Sequence, residues 1–287
     1  MKARLNAAFV AILANVRREP LLAFPLSVMS VLALFALFAG YLAPYSYERG
    51  DLLARLQPPS SEHPFGTDHL GRDVLSRIIY GSRITLTVML TVTVFSIILG
   101  TLIGLVAGYL GGTFDVLLSR IVDIVMSIPA ILIALTIVAV LGQGLGKVVI
   151  AIVIAELPLY IRLVRSLVIV EKEKLYVEAS RALGAPGSWV MRVHILPNIA
   201  GPIVVQATFT AAAAVLFEAA LSFLGLGAEP PTPSWGLMLY ESKQYFRVAP
   251  HVAIFPGLAI FLTVFSINII GETLRDRLDP RTKTFLR

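Results

Sequence analysis

Long apolar runs alternate with short polar ones along the chain, and the runs have the length of a bilayer crossing. A helix needs about 20 apolar residues to span a hydrocarbon core about 30 Å thick. Runs of this kind cover Leu21–Ala43, Ile84–Leu110, Val122–Leu141, Val148–Val170, Ile199–Leu226 and Val252–Gly271. The third contains Pro129, and the fourth is broken up by Glu156, Pro158, Arg162 and Arg165. The pattern predicts an all-α polytopic membrane protein with six transmembrane helices.

Composition supports this class. Of 287 residues, 57% are hydrophobic and 15% are charged, against about 25% charged in a soluble domain; mean hydropathy is +0.82. The high pI, about 9.7, does not point to nucleic acid, because the basic residues sit beside the apolar runs. Lys and Arg mark the cytoplasmic side of short loops. They gather in the leader (Lys2, Arg4, Arg17, Arg18), after the fourth run (Arg162, Arg165, Lys172, Lys174, Arg181, Arg192) and in the tail (Arg275, Arg277, Arg281, Lys283, Arg287). Residues 44–83 hold five basic and five acidic residues, and 227–251 hold two of each. Hydropathy and charge thus agree on six spans with both termini in the cytoplasm. The predicted segments are a leader over 1–20, a first helix over 21–43, an extracytoplasmic loop over 44–83, a membrane core over 84–271 and a tail over 272–287. The apolar part of the leader is short and ends at Arg17-Arg18, so it reads as retained rather than as a cleaved signal. There is no cysteine, which excludes disulfides, thiolate metal sites and a cysteine nucleophile.

The polar stretch 171–198 lies inside the core segment, on the cytoplasmic side. Lys174–Leu183 is rich in helix formers, Gly184-Ala185-Pro186-Gly187 breaks it, and Ser188 is placed to cap a second short helix ending before Pro197. Ala179, Ser180, Ala182 and Ala185 are small, and Glu178 and Arg181 add charge. From the residues alone, a docking surface and a helix lying on lipid are both consistent with this.

"EASRALG…LP", Glu178 to Pro197, resembles the Glu-Ala-Ala signature of permease subunits of bacterial ABC importers. Glu178-Ala179-Ser180 fills the triplet, Gly184 the glycine and Leu196-Pro197 the end, with Ser180 and His194 as departures. "HPFGTDHLGRDVLSRIIYGSR", "EAALSFLGLG", "PSWGLML" and "LRDRLDPR" are similar to the dipeptide, oligopeptide and nickel branch, and to its second, C-type subunit. The resemblance implies that 171–198 forms coupling helices. Glu178, Ala179, Ser180, Arg181, Gly184, Leu196 and Pro197 would meet an ATPase. It further implies a second homologous permease, two ATP-binding subunits and an extracytoplasmic substrate-binding protein. Short peptides would be the solute, with nickel or another small solute as the alternative.

Glu156 and Glu218 fall inside apolar runs. A buried charge there costs about 2.5–3.5 kcal/mol on insertion scales, so both are candidates for the translocation path. The other reading is a satisfied structural carboxylate, Glu156 beside Arg162 for instance. On that candidate path a proton-coupled secondary transporter is the competing class. Gly100, Gly104 and Gly108 share a helix face and suit close helix contact, within this chain or with a second one. His63, His69, His194 and His251 are scattered and predict no metal site. Gly142–Lys147, "GQGLGK", lacks the spacing of a phosphate-binding loop and reads as a turn. No catalytic or cofactor motif is present, so an enzyme is disfavoured, and the resemblance implies that separate ATPase subunits supply the energy.

Overall fold

The computed structural model describes residues 22–278. The predicted leader and most of the predicted tail lie outside the described residues. The described residues contain helices and no β-strand; an isolated bridge joins Thr67 to Asp73. The helices are α1 (Ala23–Leu42), α2 (Val74–Leu110), α3 (Gly112–Met126), α4 (Ala130–Leu141), α5 (Leu145–Lys172), α6 (Leu175–Ala182), α7 (Gly187–Phe223), α8 (Trp235–Ser242) and α9 (His251–Leu278).

Four of these, α1, α2, α7 and α9, are long and apolar enough to cross a membrane, and α3 with α4 makes a fifth if the bent pair counts as one span. α5 is equally long, 28 residues, but Lys147, Glu156, Arg162 and Arg165 interrupt its apolar character. The predicted helix Val122–Leu141 is corrected. The chain breaks at Ser127–Pro129, and the two halves meet at 88°. Pro129 has no N–H to donate and disfavours α-conformation in the residue before it, so it serves as the cap of α4 instead. α4 alone is 12 residues, about 18 Å at 1.5 Å per residue, too short to span the core.

The second helix begins ten residues earlier than predicted, at Val74 rather than Ile84. Asp73 caps it, accepting from the Ser76 N–H at 2.7 Å. At 37 residues it measures about 55 Å, which leaves its first turns, with Arg77 and Arg83, beyond any apolar core.

α7 is the central helix. Ala212, Val215 and Ala219 join a cluster with α1, α2, α8 and α9. Ala214 and Leu221 join one with α2, α4 and α5. Ile199 and Ile203 join a third with α5 and α6. Many outward apolar side chains stay exposed, among them Leu37, Ile124, Val140 and Phe261, as expected where lipid or another chain replaces water.

The glycine face of α2 packs inside this chain, against α5. A Cβ on Gly100 would sit 2.3 Å from the Tyr160 Cβ. One on Gly104 would sit 2.8 Å from the Val164 Cβ and 2.9 Å from the Ile161 carbonyl, and one on Gly108 would sit 2.8 Å from the Val168 Cβ. The backbones therefore touch, and Lys172 donates across the seam to the Gly108 carbonyl at 2.8 Å. Gly104→Leu is expected to destabilise the protein by about 1–3 kcal/mol through overpacking. Thermal unfolding of the full chain in detergent measures it, and an unchanged midpoint would mean the seam is not tight.

Contacts sort the loops into two ends. At one end Arg165 pairs with Asp115, Arg181 lies over the Tyr109 ring at 4.7 Å, and Gly201 neighbours Leu278. At the other end Gln143 donates to the Gly225 carbonyl at 2.9 Å and Arg72 reaches Glu241 at 3.0 Å. These are called the α6 end and the α8 end.

Candidate functional site

At the α6 end, α6 is a two-turn helix held against the bundle by one side and bare on the other. Val177 and Ser180 face inward, while Glu178, Ala179, Arg181, Ala182 and Gly184 are exposed. Gly184 ends the helix at φ +82°. Its N–H donates to the Arg181 carbonyl at 2.9 Å, and the Ala185 N–H donates to the Ser180 carbonyl at 3.2 Å. This is the Schellman arrangement, in which the residue after the C-cap takes the left-handed conformation glycine adopts without penalty. No atom lies within 4 Å of where a Gly184 Cβ would be. The turn favours glycine; the surroundings leave room for a side chain.

α6 is tied to its neighbours by a polar chain. Tyr176 donates to Glu171, Asn198 donates to the Tyr176 hydroxyl at 3.1 Å and to the His194 carbonyl at 2.6 Å, and Lys174 pairs with Glu171 at 2.7 Å. Partial burial and the Glu171 carboxylate push the Tyr176 phenol up to about 12, so it stays a donor at neutral pH. Trp189 and Tyr176 meet His194 edge-on at 4.8 and 5.8 Å.

The predicted second short helix is corrected. Helix begins at Gly187, with Pro186 rather than Ser188 at its cap, and runs on without a stop to Phe223. A π turn over Val190–Ile195 precedes Pro197. The wider turn displaces the usual hydrogen-bond ladder, so the missing N–H of Pro197 breaks nothing. The end of this loop is therefore continuous with α7.

Of the sequence-predicted site, Glu178, Ala179, Arg181 and Gly184 come together on the exposed face. Ser180 does not: it is 9% exposed and points into the bundle. Leu196 packs in the cluster beneath, and Pro197 is exposed on the first turns of α7. Sequence reasoning missed Leu175 and Leu183, which are 82% and 90% exposed. Two leucines flanking an otherwise polar helix were the available signal.

Glu156 and Glu218 lie inside the helix bundle, 6% and 1% exposed. Glu156 accepts from Thr210 at 3.3 Å and Glu218 from Ser222 at 2.7 Å. Of the two readings of Glu156, the example of a structural carboxylate beside Arg162 is not the pairing formed: Arg162 pairs with Asp123 across the α3–α5 contact.

At the α8 end, α8 wedges between α2 and α7. The Trp235 indole donates to the Ile78 carbonyl at 3.1 Å, and Gly236 lies so close to Ala219 and Ser222 that a Cβ would meet the Ala219 carbonyl at 2.4 Å. Four charges close this end. Asp68 binds Arg72 at 2.6 Å and also Arg77; Glu241 binds Arg72 at 3.0 Å and Arg77 at 2.8 Å. Burial alone would raise the Asp68 carboxyl, but Arg77 and Arg72 hold it below its ordinary range. Asp68, His69 and Glu241 are near enough together to hold a cation, yet both carboxylates are already neutralised by arginine. His63 bonds Asp73 at 2.9 Å.

Residues 100–284 match the family described as binding-protein-dependent transport system inner membrane component. The chain belongs to this family. This family member is 45% identical over 270 residues to the dipeptide transport system permease protein DppC of Alkalihalophilus pseudofirmus, covering 94% of this chain and 89% of that one. It is 46% identical over 254 residues to the glutathione transport system permease protein GsiD of Shigella flexneri, covering 88% and 84%. The protein of that name from Escherichia coli O6:K15:H31 is 43% identical over the same length. As an inner membrane component of a transport system, the chain is a multi-pass membrane subunit, and the long apolar helices are its spans.

Proposed function

We propose that this chain is the C-type permease subunit of an ATP-driven importer for short peptides, forming half of the translocation path across the inner membrane. The observation that carries this is the match along 94% of the chain to a dipeptide permease; a glutathione permease, whose name also specifies a short peptide, matches nearly as much. One homologous permease, two ATP-binding subunits and an extracytoplasmic binding protein complete the importer, and ATP is hydrolysed on the partners. The α6 face with Glu178, Ala179, Arg181 and Gly184 seats on the ATPase, with Leu175 and Leu183 as apolar anchors. Glu156 and Glu218 then serve as buried polar struts of the bundle that flank the path. Uptake of labelled dipeptide by cells carrying the full set of subunits tests the substrate class. Uptake that needs neither the ATPases nor ATP would overturn the reading in favour of a secondary transporter.

Six spans with both termini in the cytoplasm fit this role: α1, α2, the bent α3–α4 pair, α5, α7 and α9, with the α6 end inside. The chain has no native cysteine. Ser188→Cys is expected to react with a membrane-impermeant thiol reagent from the cytoplasmic side alone, and Gln244→Cys from outside. Ser234 would be a poor reporter because it is fully buried as the cap of α8, whereas Gln244 is exposed. Labelling of Ser188→Cys in intact cells would invert the topology.

A further inference from the structure

A cavity of about 700 Å³ opens between α5, α7 and α9 at the α6 end. Its walls are apolar at Leu163, Val205 and Phe209, and its polar lining is Arg275, Asn198 and Gln206. Among the described residues no carboxylate lines it, and Arg275 has no ion-pair partner. An occupant must therefore combine an anionic group with apolar surface. A zwitterionic peptide fits poorly, because its ammonium would find no acceptor of opposite charge among the described lining residues. We propose that the cavity binds the headgroup of an anionic phospholipid. Arg275 holds the phosphate, the Gln206 amide meets an ester oxygen, and the acyl chains leave over Leu163 and Phe209. Asn198 refines the choice of headgroup. Its two N–H groups are already given to Tyr176 and the His194 carbonyl, so only its oxygen remains, an acceptor suited to a headgroup hydroxyl. Phosphatidylglycerol has an anionic phosphate and such hydroxyls. The volume lies within the roughly 300–1,000 Å³ of small-molecule sites, enough for a headgroup and its glycerol. Because Asn198 also bonds Tyr176, the lipid would touch the polar chain that holds α6.

The test is native mass spectrometry of the full-length chain, with any subunits that co-purify, in detergent containing phosphatidylglycerol or phosphatidylcholine. The wild type is expected to retain phosphatidylglycerol about fivefold more than phosphatidylcholine, the scale of one cation at an anionic surface. Arg275→Gln should remove that preference. Gly201→Phe, at a lining position where a Cβ meets only Leu278 at 3.8 Å or more, should fill the cavity and remove retention of both lipids. Equal retention by the wild type overturns the proposal, as does a preference that survives Arg275→Gln. Displacement of bound phosphatidylglycerol by dialanine also overturns it, assigning the cavity to the peptide path. Retention in detergent depends on neither membrane orientation nor transport, so a negative result leaves the importer reading standing.

Discussion

Gly184→Asp is expected to reduce peptide uptake and co-purification of the ATPases by at least about tenfold, with the helical bundle still inserted in the membrane. The size follows from placing an unpaired carboxylate in a desolvated contact, where an uncompensated charge costs several kcal/mol and about 1.4 kcal/mol is already tenfold. The cost inside this chain is smaller. The two hydrogen bonds that close the turn are between main-chain groups, and open space surrounds the position. Asp and Asn also enter the left-handed region more readily than other side chains, at about 1–2 kcal/mol. Gly184→Asn is the control, with the same shape and the same backbone strain but no charge. It should retain more ATPase than Gly184→Asp at matched membrane abundance. Glu178→Lys should act in the same direction more weakly, since an exposed rim charge stays partly solvated. Wild-type uptake and co-purification in Gly184→Asp would make α6 a helix that rests on lipid.

Asp68→Ala is expected to be the most destabilising change at the α8 end, by about 3–5 kcal/mol, the usual cost of breaking a buried ion pair from one side. Asp68 binds two arginines and also accepts the N–H groups of Leu70 and Arg72 at 2.8 and 3.0 Å. Its loss leaves Glu241 alone to neutralise Arg72 and Arg77, which are 4% and 1% exposed. Removing Arg77 should cost less, because its Nε and Nη2 already lack partners among the described residues. The observable is thermal unfolding of the purified full chain, together with protease access to the exposed segment 243–248. A loss below about 1 kcal/mol would put Asp68 in the class of surface pairs. The pH dependence has a fixed sign. The Asp68 pKa is depressed in the folded state, so its contribution is present above the unfolded value near 3.9 and is lost as pH falls through the lower folded value. The Asp68 contribution should therefore stay constant between pH 7 and pH 5 and disappear only in strong acid.

Span positions were legible because a bilayer demands a length of apolar sequence, and Ala23–Leu42 and His251–Leu278 lie close to the runs that announced them. Gly184 was legible for a similar reason: a glycine after a short run of helix formers has one common use, and the turn adopts it. Gly100, Gly104 and Gly108 announced a close contact, but their spacing is the same whether the partner is α5 or another chain. Only the position of Tyr160, Val164 and Val168 decided it.

Three matters depended on tertiary structure. Pro129 and Pro197 are the same residue type, each close to the start of an apolar helical run. One breaks its helix by 88° and the other sits in a continuous helix, because the π turn before Pro197 had already shifted the hydrogen-bond ladder. Ser180 and Arg181 are neighbours in a signature, yet a helix turns about 100° per residue, so one faces the core and the other faces out. Asp68, Arg72, Arg77 and Glu241 looked like unrelated loop charges, with Glu241 about 170 positions from the rest. By itself the sequence determined where the four long apolar helices lie, because hydrophobic transfer is additive along a chain. Which charges meet and which face a partner was decided by the fold, because those depend on distances between residues that the chain's order does not encode.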